Sequence, residues 1–467
     1  MATLSSPDEI QMVVDPDGNY LIEFPYTALF VSKQWKAVAL ATPMLWTIVR
    51  LRQYAEGYGR GQNWGRKVMM HSLLSQGLLL DLCIFLDSST VAPFLRSPIT
   101  TNGAFTPSIR SVCMILDETY GSFEGGLAKV TAVLPWLLRD DHWPRSELEE
   151  LELVGMGMGI DNVRTSVKPW LLLSGILRSI TGLRKLLLKD LPIASLTEDR
   201  IYDTIWMLML NPRATASLLT QVRLDAVSRA VLRTIFLVRL PALENLAIRC
   251  CREEQHLDDE SDVVDLHTTS ELVEFRRLQP SHLPSLCNLI IDNVANAIDA
   301  AIIVSHAPNL RHLALSSHHV ATSLPYITSL DPKRSPRFST LTTITSKSSA
   351  PSLFPDSTGW TAFACGAIKK HVLHNNTLNG LKTVVLECVP SDLGWEDLPD
   401  ELKSANRAEN DGQVRSEMWD MVYQCRDGLK GVGVDVQILS QEELEFDSIW
   451  RRMVSESRDA LKLTIDR

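Results

Sequence analysis

Leu240-Pro-Ala-Leu-Glu-Asn-Leu-Ala-Ile248 is the stretch that decides the fold, because it joins a turn to a short strand. Its residues Leu243, Leu246 and Ile248 form an apolar triplet, with two residues and then one residue between its members. The last two alternate as in a strand with one buried face, and the first comes from the turn that leads into the strand. A strand this short is not stable alone, so the triplet predicts neighbours of the same kind.

The same triplet recurs along most of the chain. Its occurrences are Ile109-Val112-Met114, Leu148-Leu151-Leu153, Leu183-Leu186-Leu188, Leu219-Val222-Leu224, Leu243-Leu246-Ile248, Leu286-Leu289-Ile291, Leu310-Leu313-Leu315 and Leu381-Val384-Leu386. A degraded ninth occurrence is expected at Phe338-Leu341. The spacings between successive starts, mostly 24 to 43 residues, leave room for one strand and one helix in each repeat.

Parallel stacking would give each short strand ladder hydrogen bonds on both sides, with the intervening segments returning over the outside. The repeats resemble irregular leucine-rich repeats, which implies an α/β solenoid with parallel strands on one face and helices on the other. The Asn or Cys position that such repeats carry after the strand is mostly not filled. A doubly wound α/β domain is the alternative, although that fold usually has fewer strands and longer apolar runs.

A second informative stretch is Ala28-Leu-Phe-Val-Ser-Lys-Gln-Trp-Lys-Ala-Val-Ala-Leu-Ala-Thr-Pro-Met-Leu-Trp46. Its apolar residues Val31, Trp35 and Val38 recur at helical spacing, which predicts that they share one face of a helix. Thr42-Pro43 ends that helix, because the residue before a proline is pushed out of the α region. The pattern therefore predicts a helix, a turn and a short second element ending in tryptophan.

This stretch resembles the second half of an F-box, in particular the F-box-like module at the start of many fungal proteins. The shared pattern is Val-x-x-x-Trp, then Val-Ala, then Thr/Ser-Pro-x-Leu-Trp. Pro7-Asp-Glu-Ile10 is similar to the Pro-x-Glu-Ile opening of that family. Between the two, Asp15-Pro-Asp-Gly-Asn19 predicts a turn where the family continues its first helix. The resemblance implies a short all-α module with a degenerate first helix.

The resemblance also implies two sets of site residues. Those that would contact a Skp-type adaptor of a cullin-RING ligase are Pro7, Glu9, Ile10 and Val31. Those that would form the F-box core are Trp35, Val38, Leu45 and Trp46. The alternative is an N-terminal helical hairpin that only packs on the body of the protein.

The chain is expected to have four parts. They are an F-box-like module (1–50), a connecting segment that leads into the repeats (51–100), irregular leucine-rich repeats (101–440) and a C-terminal capping helix (441–467). A strand at Val432–Leu439 precedes the capping helix. An atypical last repeat is expected because an open solenoid end exposes unpaired strand edges.

Composition excludes several classes of protein. The 467 residues are 45% apolar, enough for a large core, and the net charge of −10 without a long basic run argues against a nucleic-acid partner. The first thirty residues contain no Lys or Arg, so no targeting peptide is expected and the protein is expected in the cytoplasm or nucleus. No apolar run approaches the roughly 20 residues that span a bilayer, so no membrane partner is expected.

Signatures of common enzymes are absent from the sequence. There is no Walker motif, no Gly-x-Ser-x-Gly elbow and no His-Glu-x-x-His. Gly155-Met-Gly-Met-Gly159 lacks the spacing and the following acidic residue of a dinucleotide loop. The eight cysteines form no Cys-x-x-Cys pair. We therefore expect no catalytic residue, no cofactor and no metal.

The leading interpretation is a non-catalytic substrate-recognition adaptor of a Skp-cullin-F-box ubiquitin ligase. The Skp-type adaptor and an unidentified protein target would be its partners, and it would act by raising the effective concentration of the target near the ligase. The alternative is a leucine-rich-repeat scaffold with a vestigial F-box and no ligase role. An enzyme of an unrecognised kind is the third hypothesis, which a convergent polar pocket would favour.

Overall fold

A computed structural model gives the structure of the protein. It describes residues 13–14, 20–21, 25–52, 64–87, 108–117, 148–154, 180–191, 216–227, 238–250, 283–292, 303–304, 307–317, 319–321, 324, 340–347, 357–373, 378–387, 420–439 and 448–454. The chain divides into two compact units, Met1–Leu153 and Val154–Arg467.

The first five elements among the described residues of the first unit are short. They are β1 (Val13–Val14), β2 (Tyr20–Leu21), α1 (Ala28–Val31), α2 (Lys33–Leu40) and a 3-10 helix (Pro43–Trp46). β1 and β2 pair antiparallel, with Val13 opposite Leu21. The turn predicted at 15–19 is the segment between these two strands and lies outside the described residues. The described N-terminal residues thus combine a β-hairpin with short helices, whereas the resemblance implied an all-α module.

Ser32 divides the helix that the apolar spacing predicts as continuous. Its backbone is extended and its Oγ accepts a hydrogen bond from the Trp35 backbone N–H at 3.1 Å, so Ser32 is the N-cap of α2. Val31 therefore belongs to a different helix from Trp35 and Val38, and the three do not share one helical face. The predicted stop at Thr42-Pro43 is confirmed, since α2 ends at Leu40 and the 3-10 helix begins at Pro43.

Parallel strands begin earlier in the chain than the triplets indicate. The first unit contains β3 (Ile48–Arg52), α3 (Trp64–Leu74), β4 (Leu80–Asp87), β5 (Ile109–Asp117) and β6 (Glu150–Val154). The strands are neighbours in chain order, and β3, β4 and β5 pair in parallel. Trp46, Val49 and Leu51 are buried and form a further triplet, in which Trp46 precedes β3 and the other two residues lie in it. Gly77 turns the chain from α3 toward β4 at a φ of +85°, a conformation that glycine adopts without strain.

The described residues of the second unit form eight further strands. They are β7 (Lys185–Leu191), β8 (Gln221–Val227), β9 (Asn245–Cys250), β10 (Asn288–Asp292), β11 (His312–Ser316), β12 (Thr343–Lys347), β13 (Thr383–Glu387) and β14 (Asp435–Leu439). Each pairs in parallel with the next along the chain. The predicted α/β class with parallel strands in a solenoid-like repeat is confirmed. A doubly wound sheet would instead reverse its strand order.

Every residue of the eight predicted triplets is buried. In each strand the last two triplet residues point to one side, which we call the leucine face, and the residue between them points to the opposite face. The ninth triplet starts three residues later than predicted. Leu341 and Ile344 fill its first two positions, and the third is Ser346, which is also buried.

One turn recurs ahead of the strands. The first triplet residue donates its backbone N–H to the carbonyl three residues earlier, as in Leu243 to Leu240 at 3.2 Å and Leu286 to Leu283 at 3.3 Å. The same bond precedes β7, β11 and β13. Proline at the second position of such a turn, as in Pro241 and Pro284, fixes the φ that the turn requires. The turn therefore sets where each strand begins.

Helices precede the last two strands. α4 (Ser357–Leu373) comes before β13, and the helical residues 420–430 come before β14. The Cys425 thiol donates a hydrogen bond to the Cys365 carbonyl at 3.0 Å, and both residues are buried, so the two helices contact each other. Apolar runs in the sequence also predict helical returns at 170–180, 203–210 and 296–304. The structure describes only residues 180, 303 and 304 of these, and 303–304 are helical.

Candidate interaction surfaces

Trp46 is the anchor of the N-terminal helices. It is fully buried, its indole Nε1 donates to the Ala39 carbonyl at 2.8 Å, and its ring makes edge contacts with Tyr26 and His71. Ala39 is the one buried residue of α2, so α2 approaches Trp46 through a side chain small enough to let the backbone come close. The small core of Tyr26, Ala28, Ala39 and Trp46 therefore fixes how α2 is presented.

His71 of α3 locks this core by two hydrogen bonds. Its Nδ1 lies 2.9 Å from the Trp46 carbonyl and its Nε2 lies 2.6 Å from the Tyr26 hydroxyl. Since the carbonyl can only accept, Nδ1 carries the proton and Nε2 accepts from Tyr26. Burial lowers the pKa of His71 to about 4, with a smaller lowering from Lys67, against the opposing effect of the Trp46 carbonyl. The imidazole is therefore neutral at physiological pH.

Large apolar side chains of the same N-terminal helices are exposed. Five large apolar side chains within residues 30–44 are about half exposed or more: Phe30 (49%), Val31 (66%), Trp35 (55%), Val38 (50%) and Met44 (68%). We call them the N-terminal apolar surface. Single exposed apolar residues are ordinary, but a group of large ones on a short, anchored segment is typical of a protein-binding site. The sequence gives no signal that separates Trp35 and Val38 from core residues, because both fit the helical spacing of a buried face.

The structure places the predicted site residues in three different situations. Val31, predicted to contact a partner, is exposed. Trp46, predicted in the core, is buried, and Leu45 packs partly buried against the same core. Trp35 and Val38 were expected in the core as well but lie on the surface, because the break at Ser32 and the close contact at Ala39 turn them outward. Pro7, Glu9 and Ile10 lie outside the described residues.

The opposite face of the sheet in the second unit carries a central row in strict register. Ala247, Ile290, Ala314, Thr345 and Val385 are cross-strand partners on β9 to β13. All five are buried. Helical residues 448–454 cover them, since Ile449 and Met453 form one apolar cluster with Ala247, Ile290, Ala314 and Val385. A sequence signal for this burial exists, because the four strands with an apolar residue in the row, such as Leu289-Ile290-Ile291, are apolar on both faces.

A charged row runs beside the central row. Lys189, Asp225, Arg249 and Asp292 follow one another in register with alternating sign. Asp225 is fully buried, accepts from Arg249 Nε at 2.5 Å and forms an ion pair with Arg223 at 3.1 Å. Lys347 bonds to Asp292 at 2.8 Å. Because the carboxylates are satisfied by neighbouring cations, this row holds the strands in register as an ion-pair ladder.

Polar residues at the starts of the strands form a second ladder on the same face as the central row. Asn288 Nδ2 donates to Asn245 Oδ1 at 2.6 Å, and both side chains are buried. Buried amides that pair across strands satisfy each other's polar atoms. Asn245 and Asn288 thus fix the register of β9 and β10.

Serines and a histidine cluster at the end of β11. Ser316 Oγ is hydrogen-bonded to His319 Nδ1, and Ser317 Oγ lies 2.9 Å from Ser346 Oγ and 2.8 Å from the Lys347 carbonyl. A serine–histidine hydrogen bond also occurs in hydrolases, where the histidine activates the serine. Such a site requires a serine that the substrate can reach. Here Ser316 and His319 are buried, and the contacts of Ser317 with Ser346 and Lys347 hold the chain after β11 on β12.

The described residues form neither a metal-binding cluster nor a membrane-spanning helix. No group of three or more His, Cys, Asp or Glu residues there is placed to hold a metal ion. None of the helices among the described residues combines the length and apolar character needed to cross a membrane.

The chain was also compared with known proteins. No protein-family model matches it, and no curated protein matches it.

Proposed function

We propose that this protein is a non-catalytic adaptor that binds one protein through its N-terminal apolar surface and a second, target protein through its repeats. The observation that carries the proposal is the exposure of Phe30, Val31, Trp35, Val38 and Met44 on a segment anchored by Trp46. The adaptor makes and breaks no bonds itself. It acts by holding a target near whatever enzyme the first partner carries, which raises the effective concentration of the target.

These side chains would contribute binding free energy when a partner buries them. Full burial of one large apolar side chain contributes about 1.5–3 kcal/mol, so the five, each about half exposed, would together contribute roughly 4–8 kcal/mol, against about 8 kcal/mol for micromolar binding. Trp46, His71 and Tyr26 hold the helices in place in the free protein. Less ordering is then required on association, which favours binding.

A Skp-type adaptor of a cullin-RING ligase is the proposed first partner. The basis is the resemblance of residues 28–46 to the second half of an F-box, in which the valine at the start of the later helix contacts the Skp-type protein. The exposed Val31 matches that valine in the sequence pattern, although in the structure it ends α1, one residue before the Ser32 cap of α2. In this proposal the chain is the substrate-recognition subunit of a ubiquitin ligase.

A repeat scaffold with a vestigial F-box is the second candidate, and one observation favours it. β1 and β2 form a hairpin in the region where an F-box would continue its first helix. A partner that grips that helix would lose part of its contact. In this candidate the N-terminal apolar surface binds a different protein, or a Skp-type protein too weakly to form a ligase.

Calorimetric titration of the full chain with a purified Skp-type adaptor tests the first proposal against the second. Val31→Asp places a charge on the N-terminal apolar surface and is expected to weaken binding at least about 30-fold, which corresponds to about 2 kcal/mol. Gln34→Asp is the matched control. It adds the same charge at an exposed polar position in the first turn of α2, where a carboxylate favours the helix.

The outcomes separate cleanly. Tight binding that Val31→Asp removes and Gln34→Asp retains supports the ligase adaptor. Binding that neither substitution alters places the contact elsewhere and refutes the role of the surface. If the intact, folded chain fails to bind the Skp-type protein at all, the repeat scaffold is the better account.

A further inference from the structure

A helical segment of the chain packs on the face of the sheet opposite the leucine face. Ile449 and Met453 are buried against Ala247, Ile290, Ala314 and Val385, with Trp450 and Leu439 packed at the margin. All of these residues belong to the second unit. Ile449 and Met453 are separated by four positions, so they lie on one side of a single helical turn.

The side chains of the central row suit the packing of a helix. Its partners alternate in size, because the small Ala247 and Ala314 flank the larger Ile290 in register. Small residues leave room for the large aliphatic side chains of a helix laid over them. The polar pairs Asn245–Asn288 and Asp225–Arg249 lie on either side of the row, so the face takes an apolar ligand between two polar margins.

We propose that the central row is the target-binding site, that it accepts an amphipathic helix, and that residues 448–454 occupy it as a built-in competitor. The target displaces this helix by presenting two large aliphatic residues four positions apart. The inference rests on the proposed function only for the statement that the competing ligand is a target protein. Exchange of the helix itself is a property of this chain alone.

Geometry also sets the length of the ligand. The row from Ala247 to Val385 crosses five strands, which at about 4.8 Å per step is about 19 Å. At about 1.5 Å per residue, a helix of about 13 residues spans that distance. The built-in competitor reduces the apparent affinity of every other helix to its intrinsic affinity multiplied by the fraction of molecules in which the row is free.

The test is peptide binding to the full chain. A fluorescently labelled peptide with the sequence of residues 445–457 is titrated with three proteins and followed by anisotropy. The proteins are the unaltered chain, the opened double variant Ile449→Asp/Met453→Asp, and the control Arg451→Asp, which changes charge at an exposed position of the same helix. Ile449→Ala/Met453→Ala serves as a second opened variant without buried charge.

The opened variants are expected to bind the peptide at least about 100-fold more tightly than the unaltered chain and Arg451→Asp do, because a buried carboxylate excludes the built-in helix. A peptide in which the isoleucine and methionine are replaced by aspartate is expected not to bind. Folding of each variant is measured by circular dichroism and its molecular mass by light scattering.

Three results would overturn the inference. They are folded opened variants that fail to bind the peptide, opened variants that both unfold, and an opened variant that dimerises instead of binding. The first two would make residues 448–454 a fixed part of the fold, and the third would make the row a contact between copies. Titration of the same variants with the Skp-type adaptor distinguishes this failure from failure of the proposed function, since the opening substitutions leave the N-terminal apolar surface unchanged.

Discussion

Lowering the pH is predicted to loosen the N-terminal core through one residue, His71. The imidazole is buried between Trp46 and Tyr26 and is neutral, with Nδ1 donating to the Trp46 carbonyl and Nε2 accepting from the Tyr26 hydroxyl. Protonation would place a second N–H against that hydroxyl and a charge inside an aromatic cluster. Its pKa is lowered accordingly, from 6.5 to about 4.

The sign and size of the effect follow from this shift. Because the pKa is lower in the folded state, the unfolded chain takes up the proton first as the pH falls. The contribution to stability is therefore complete above pH 6.5 and is lost as the pH falls from 6.5 toward 4. Each pH unit in that window costs about 1.4 kcal/mol, which gives a loss of about 2 kcal/mol by pH 5 and about 3 kcal/mol in all.

Two measurements check this prediction. The first is the NMR titration of 13C-labelled histidine, in which the resonance that disappears in His71→Gln is expected to titrate near pH 4 if the protein stays folded. The second is urea unfolding at pH 6.5 and pH 5, in which the unaltered chain is expected to lose about 2 kcal/mol more than His71→Gln does. A His71 that titrates near 6.5, or equal losses in both proteins, would refute the neutral buried imidazole.

Two further substitutions test the packing. Trp46→Phe removes the indole donor from the Ala39 carbonyl and leaves a void, so we expect urea unfolding to show a loss of about 2 kcal/mol and co-precipitation to show weaker partner binding; an unchanged protein would contradict the anchoring role. Asp225→Ala removes the carboxylate between Arg223 and Arg249 and is expected to cost about 3 kcal/mol in the same assay, whereas Asp81→Ala, which breaks the exposed pair with Arg110, is expected to cost less than about 1 kcal/mol. Similar losses at the two positions would mean that burial does not decide the strength of these pairs.

Much of the fold was predictable from the spacing of apolar residues. The triplet of Leu243, Leu246 and Ile248 identifies a turn and a strand at once, and its recurrence identifies the parallel arrangement. The prediction failed where the triplet loses its apolar character. In β12 the third residue of the triplet is Ser346, which is polar. The triplet around Leu341 was therefore predicted three residues too early.

The N-terminal strands were missed for a different reason. Trp46, Val49 and Leu51 fit the same triplet, but Trp46 also completes the F-box-like pattern and was assigned to it alone. Trp46 in fact serves both elements, as the core of the helices and as the first triplet residue of β3. Apolar spacing cannot report such a dual role, because it depends on which segments meet in space.

The candidate surfaces were the least predictable part. Helical spacing groups the apolar residues Val31, Trp35 and Val38. It does not indicate whether their side chains pack in the core or contact a partner. The break at Ser32 and the close contact at Ala39 decide that question, and both are tertiary features. The covered central row was recoverable in principle from strands that are apolar on both faces, but its occupant, residues 448–454, could not be.

Hydrogen exchange of the full chain, with and without a Skp-type adaptor, shows directly whether this partner covers residues 28–46. Residues 28–46 carry the exposed side chains and the anchoring Trp46, so their amides are the ones a partner would cover. The account predicts slower exchange in peptides from this segment on addition of the partner, and no such change in Val31→Asp. Formation of the complex with unchanged exchange in residues 28–46 would contradict it.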